Sequence, residues 1–105
     1  MTQMPDSMTQ IHIPFDMVRE ICLRYEVSEL ALFGSVLRKD FRNDSDVDVL
    51  VEFKPDAQVG FLAFLRMQRE LAAILRRPVD LVSKAGLKPK IRQEVLSNVM
   101  VLYAS

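Results

Sequence analysis

Apolar residues recur at Val18, Ile21, Cys22 and Tyr25, the i, i+3, i+4, i+7 spacing of a helix that turns one face inward. With Pro14 near the first turn and Asp16 and Glu20 early, the spacing predicts a helix over about residues 14–26. The run Glu29-Leu30-Ala31-Leu32-Phe33 stops abruptly at Gly34-Ser35, as a short buried strand does before a tight turn, and Val36-Leu37-Arg38 reads as the opening of a short helix. Next comes Asp46-Val-Asp-Val-Leu-Val-Glu-Phe53, with Val47, Val49 and Val51 at alternate positions on one face, the clearest strand of the chain. Val59 to Arg77 is dense in Phe, Leu, Ala and Met and exceeds any usual strand length, so it reads as a long helix across a sheet. A strand at Pro78 to Val82, a basic linker from Lys84 to Lys90, a short helix at about 89–97 and an edge strand at Val99 to Tyr103 complete the pattern.

Between these elements, Lys39 to Ser45 has the polar, turn-rich chemistry of a loop. Residues 1–13 show no usable period and read as a flexible leader, with Met4 or Met8 as alternative starts to Met1. There is no internal repeat and no low-complexity segment. Residues 14–105 are therefore expected to form one α+β domain, a mixed sheet flanked by helices.

Composition narrows the function. A chain of 105 residues with 14 Lys+Arg against 14 Asp+Glu has no net charge, which argues against direct nucleic-acid binding through phosphate attraction. The zero conceals a dipole, because residues 40–56 hold six acids and two bases while residues 76–92 hold six bases and one acid. Arg76, Arg77, Lys84, Lys88, Lys90 and Arg92 are thus candidates for steering an anion or docking an acidic surface. The first basic residue is Arg19 and no apolar run approaches ~18 residues, so neither a signal peptide nor a membrane span is expected, and the protein reads as cytoplasmic. The lone Cys22 lies on the helix's apolar stripe and reads as a buried, reduced thiol; His12 is assigned no role.

The candidate chemistry lies around the alternating strand. Asp46 and Asp48 are two apart, so both carboxylates point away from the Val face. Paired carboxylates repel unless compensated, and hard oxygen ligands suit Mg²⁺, which is usually completed by substrate phosphates. Gly34-Ser35, at a strand-to-helix turn, offers backbone N–H groups to an anion, and Arg38 one turn later adds a cation. Asp80, between apolar neighbours in Pro78-Val-Asp-Leu-Val82, is the third candidate ligand. Asp44-x-Asp46-x-Asp48 superficially opens a calcium loop, but Val49 stands where glycine is required and Pro55 where the bidentate glutamate belongs. Anion turn, paired carboxylates and third carboxylate together meet the requirements of metal-assisted phosphoryl-type transfer.

Gly34-Ser35, ten residues, Asp46-Val47-Asp48 resembles the signature of the DNA polymerase β-type nucleotidyltransferases, with Arg38 and Ser45 also matching. The resemblance runs from about Ile21 to Tyr103 and is closest to the minimal nucleotidyltransferases of the MntA antitoxin type. It implies that Asp46, Asp48 and Asp80 bind two Mg²⁺ ions and carry catalysis, while Gly34, Ser35, Arg38 and Ser45 hold the nucleotide. It further implies a partner, a HEPN-domain toxin, neutralised when AMP passes from ATP to one of its tyrosine hydroxyls. Lys39 and Arg76 depart from the pattern, each standing where relatives often have glycine. The competing reading is a binding subunit that blocks the toxin by contact alone.

Overall fold

The computed structural model describes residues 11–37 and 46–105. Helix α1 (Phe15–Arg24) buries Val18, Ile21 and Cys22, three of the four residues of its apolar stripe. Tyr25 is half-buried at its end, and Glu26, with φ 54°, turns the chain into strand β1 (Val27–Phe33). That strand begins two residues before the alternation suggested, because Val27 packs into the core. A 3₁₀ turn (Gly34–Leu37) follows directly, in place of an α-helical opening at Val36. Strand β2 (Val47–Phe53), helix α2 (Phe61–Leu75), strand β3 (Val79–Ser83), a 3₁₀ turn (Lys84–Gly86), helix α3 (Pro89–Leu96) and strand β4 (Val99–Ala104) complete the order. Arg38, Ser45 and the expected 39–45 loop lie outside the described residues.

The four strands form one mixed sheet in the order β3-β2-β1-β4. Strand β2 runs parallel to β3, joined by α2, whereas β1 is antiparallel to both β2 and β4. The three valines of β2 are fully buried at 0% exposure, and they share one core with Leu30, Leu32, Leu81 and Met100 of the other strands. Helices α1 and α2 supply the rest through Val18, Ile21, Cys22, Met67, Leu71 and Leu75. Each such side chain contributes about 1.5–3 kcal/mol by leaving water. Ile11 and Ile13, at the end of the expected leader, are also buried in this core, while residues 1–10 lie outside the described residues.

The row that α2 buries is Met67, Leu71 and Leu75, with Phe64 half-buried and edge-on to Phe53 at 6.3 Å between ring centroids. Apolar spacing alone predicts Phe61 in the core with Phe64, Leu65, Leu71 and Leu75, but as the first residue of the helix it is 75% exposed. Edge strand β3 is tied to α2 where the Leu81 N–H donates to Gln68 Oε1 at 2.9 Å, which occupies a donor that an edge otherwise leaves open. Cys22 is fully buried, and that burial pushes its thiol up to about 12.

Candidate active site

The ends of three strands meet at one edge of the sheet. Strand β1 terminates at Phe33, which pairs in register with Asp48 near the start of β2. Asp48 in turn pairs with Asp80 near the start of β3. Since residues paired in register point to the same side, Asp80, Asp48 and Phe33 form a row across the sheet on the side opposite the buried valines. Asp46 precedes β2 by one residue, and period-two alternation carries it to the same side as Asp48. Asp48 is half-buried, while Asp46 and Asp80 are exposed.

Gly34 is fixed by this arrangement. It has φ +77°, in the left-handed region that side chains disfavour. A Cβ built there would overlap Asp48 Oδ2 and lie 3.2 Å from Asp48 Cγ. The Asp48 carboxyl therefore occupies the space that a side chain at residue 34 would fill. Gly34 and Ser35 open the 3₁₀ turn, whose first residue lies directly against that carboxyl.

Neighbouring strands lie about 4.8 Å apart, so Asp48 and Asp80 are close enough to repel, and a cation is the natural compensator. Among the described residues, no group of three or more His, Cys, Asp or Glu side chains is gathered tightly enough to hold a metal ion unaided. The donor set nevertheless fits a hard divalent ion that is held by one or two carboxylates and takes further oxygens from water and substrate phosphate, the usual manner of Mg²⁺. Asp48 and Asp80 are the pair the register brings together, with Asp46 as the neighbouring donor. A calcium cage built wholly from protein is not what these residues offer.

A pocket of about 470 Å³ opens beside the same corner, lined by Phe33, Gly34, Leu37, Glu94, Val95 and Asn98. No motif marks it: Glu94 and Val95 in the last turn of α3 and Asn98 just beyond it are brought beside Gly34 only by the return of the chain to the end of β1. Of the six basic residues expected to attract an anion, Lys84 is engaged elsewhere, with Nζ 3.5 Å from Glu29 Oε1 and 3.6 Å from Glu52 Oε1.

Residues 16–102 match the nucleotidyltransferase domain family. The chain belongs to this family. Protein adenylyltransferase MntA of Thermococcus cleftensis is 39% identical over 82 residues, covering 78% of this chain and 81% of that protein. A solved structure described as a minimal nucleotidyltransferase is 32% identical, with a TM-score of 0.66 over 85% of this chain and 96% of that one. A toxin–antitoxin structure with AMP-PNP has the same fold, with a TM-score of 0.71 at 20% identity over 89% of this chain and 75% of that one. The nucleotidyltransferase fold thus accounts for the mixed sheet and the single domain. Among the described residues, no helix of this nucleotidyltransferase is long and apolar enough to cross a membrane.

Proposed function

We propose that this nucleotidyltransferase is an antitoxin that transfers AMP from ATP to a tyrosine hydroxyl of a cognate HEPN-type toxin in a Mg²⁺-dependent reaction. The observation that carries this reading is the Asp48 carboxyl, lodged against Gly34 and matched in register with Asp80 beside an anion-accepting turn. The 39% identical relative is itself named a protein adenylyltransferase, and solved toxin–antitoxin complexes share the fold.

In this reading the backbone N–H groups of Gly34 and Ser35 hold the β and γ phosphates, with Arg38 and Ser45 as further nucleotide contacts. Asp46, Asp48 and Asp80 hold the metal, which when bound neutralises phosphate charge and lowers the pKa of the attacking hydroxyl. The tyrosine oxygen forms a bond to the α-phosphorus as the bond to the β-phosphate oxygen breaks, and pyrophosphate leaves. Asp80 is exposed at the rim and is suited to orient the hydroxyl and take its proton. Ile11 and Ile13 pack into the core, so the catalytic domain includes residues 11–13 as well as 14–105, and the protein works in the cytoplasm.

The test is co-expression with a HEPN-type toxin as the candidate partner. Asp46→Ala with Asp48→Ala should abolish protection while the two proteins still co-purify. Protection retained by the double variant contradicts transfer and leaves neutralisation by contact.

A further inference from the structure

Away from the carboxylate row, the segment before α1, the start of α1 and the end of α2 border a second pocket, of about 620 Å³, which shares no described residue with the one beside Gly34. We propose that this pocket binds a small organic monoanion, a carboxylate on an apolar body, whose head is held by Arg76 and His12. Neither residue belongs to the proposed transfer machinery, so the ligand of this pocket is independent of that reading.

The walls are apolar. Pro14 and Met17 come from the entry to α1, and Ala73, Ile74 and Leu75 from the last turn of α2. Met17 is 51% exposed, a large apolar side chain that an occupant covers. The volume lies within the range of small-ligand sites, which are mostly apolar and fix their ligand with a few polar groups.

The polar groups here are His12 and Arg76, both exposed. Among the described residues no carboxylate lines the pocket, so an anion meets two donors and no like charge in its walls. Ile11 and Ile13, on either side of His12, are buried in the core, which fixes the backbone that carries the imidazole. Arg76 is held in the left-handed region, φ 56°, at a helix end where glycine is usual. A disfavoured backbone conformation kept by a charged residue at the rim of a pocket points to use rather than to stability. A guanidinium forks onto both oxygens of a carboxylate and balances its single negative charge, while the imidazole adds an N–H. A phosphate dianion asks for more positive charge than this pair supplies.

The experiment is NMR titration of the amides of the isotope-labelled full chain with probes that share one apolar body: phenylbutyrate, phenylbutanol and phenylbutyl phosphate. Phenylbutyrate should shift the amides of Met17, Ala73 and Arg76, and should bind at least about 5-fold more tightly than the alcohol and more tightly than the phosphate. Arg76→Gly, which suits the left-handed backbone, should weaken phenylbutyrate at least about 5-fold and leave phenylbutanol unchanged, and His12→Ala should weaken phenylbutyrate by about 2-fold to 3-fold. Ala73→Phe, at an exposed helix position, fills the pocket and should abolish binding of every probe, with the same spectra reporting that each variant is folded. Equal affinity for acid and alcohol, unchanged phenylbutyrate binding in folded Arg76→Gly or Ala73→Phe, tightest binding of the phosphate, or no binding of any probe by the native protein would each overturn the proposal. Because none of the probes is a nucleotide or a metal, any of these failures leaves the transferase reading standing.

Discussion

The Asp48 carboxyl lies where a side chain at residue 34 would begin. Gly34 thereby satisfies two demands at once, a left-handed φ of +77° and a backbone surface bare enough for a carboxylate to rest against. Gly34→Ala should destabilise the fold by about 2 kcal/mol, from φ strain and the displaced carboxylate. It should also lower transfer more than the loss of folded protein explains. Urea unfolding and a transfer assay on the folded fraction measure the two effects. Native-like activity in Gly34→Ala would show that the Asp48 position is not critical.

Asp48 and Asp80 share a register position but differ in burial, and their variants should differ accordingly. Asp48→Asn and Asp80→Asn should each lower transfer by at least about 100-fold, since each removes a charged oxygen donor. The exposed Asp80 variant should keep native stability to within about 0.5 kcal/mol. Removing divalent ions with EDTA should abolish transfer, and Mg²⁺ should restore it. Activity that persists in EDTA would contradict a metal-assisted reaction.

Helix α2 ends with Arg76 in a left-handed conformation, φ 56° and ψ 36°. The N–H groups of Arg76 and Arg77 both return to the Ala72 carbonyl, the tightly wound end at which glycine is usual. Arg76→Gly relieves the φ strain and should raise stability by about 1 kcal/mol, a few degrees in Tm. A lower Tm would show that the arginine side chain contributes more than its backbone costs.

The departure at Arg76 was readable in the sequence as a missing glycine, but its conformation was not. The same division holds elsewhere. Val47, Val49 and Val51 announced β2, and the shared side of Asp46 and Asp48 was equally readable, because strand alternation is a local property. The pairing of Asp48 with Asp80 is not local, since it depends on α2 returning β3 to lie parallel beside β2. Phe61 continues the apolar spacing of α2 but stands exposed at its first residue, since spacing does not mark where along a helix burial begins. Glu94 and Asn98 carried no motif, and their place opposite Gly34 follows from chain topology alone.

The α1–α2 contact has a pH signature. Arg24 Nη2 donates to Glu70 Oε1 at 2.6 Å, and the Tyr25 hydroxyl donates to Glu70 Oε2. The Arg24 hydrogen bond first, and then that from Tyr25, hold the Glu70 carboxyl below its ordinary value of 4.5. A depressed carboxyl contributes stability that is fully present above its unfolded value and lost as pH falls through the folded one. The stability difference between native protein and Glu70→Gln should therefore be constant above about pH 5.5 and shrink below pH 4.5. Because Arg24 is largely exposed, salt should reduce the difference. Urea midpoints across that range measure it, and a difference independent of pH would contradict the assignment.

Asp46 and Asp48 are proposed to serve covalent transfer. The most direct measurement adds α-labelled ATP and Mg²⁺ to the purified protein and a candidate HEPN-type toxin as partner, with the Asp46→Ala/Asp48→Ala protein as control. Label on a tyrosine of the partner, with the intact pair of aspartates alone, is the predicted result. An unlabelled partner that is nevertheless bound and neutralised by the intact protein would contradict it.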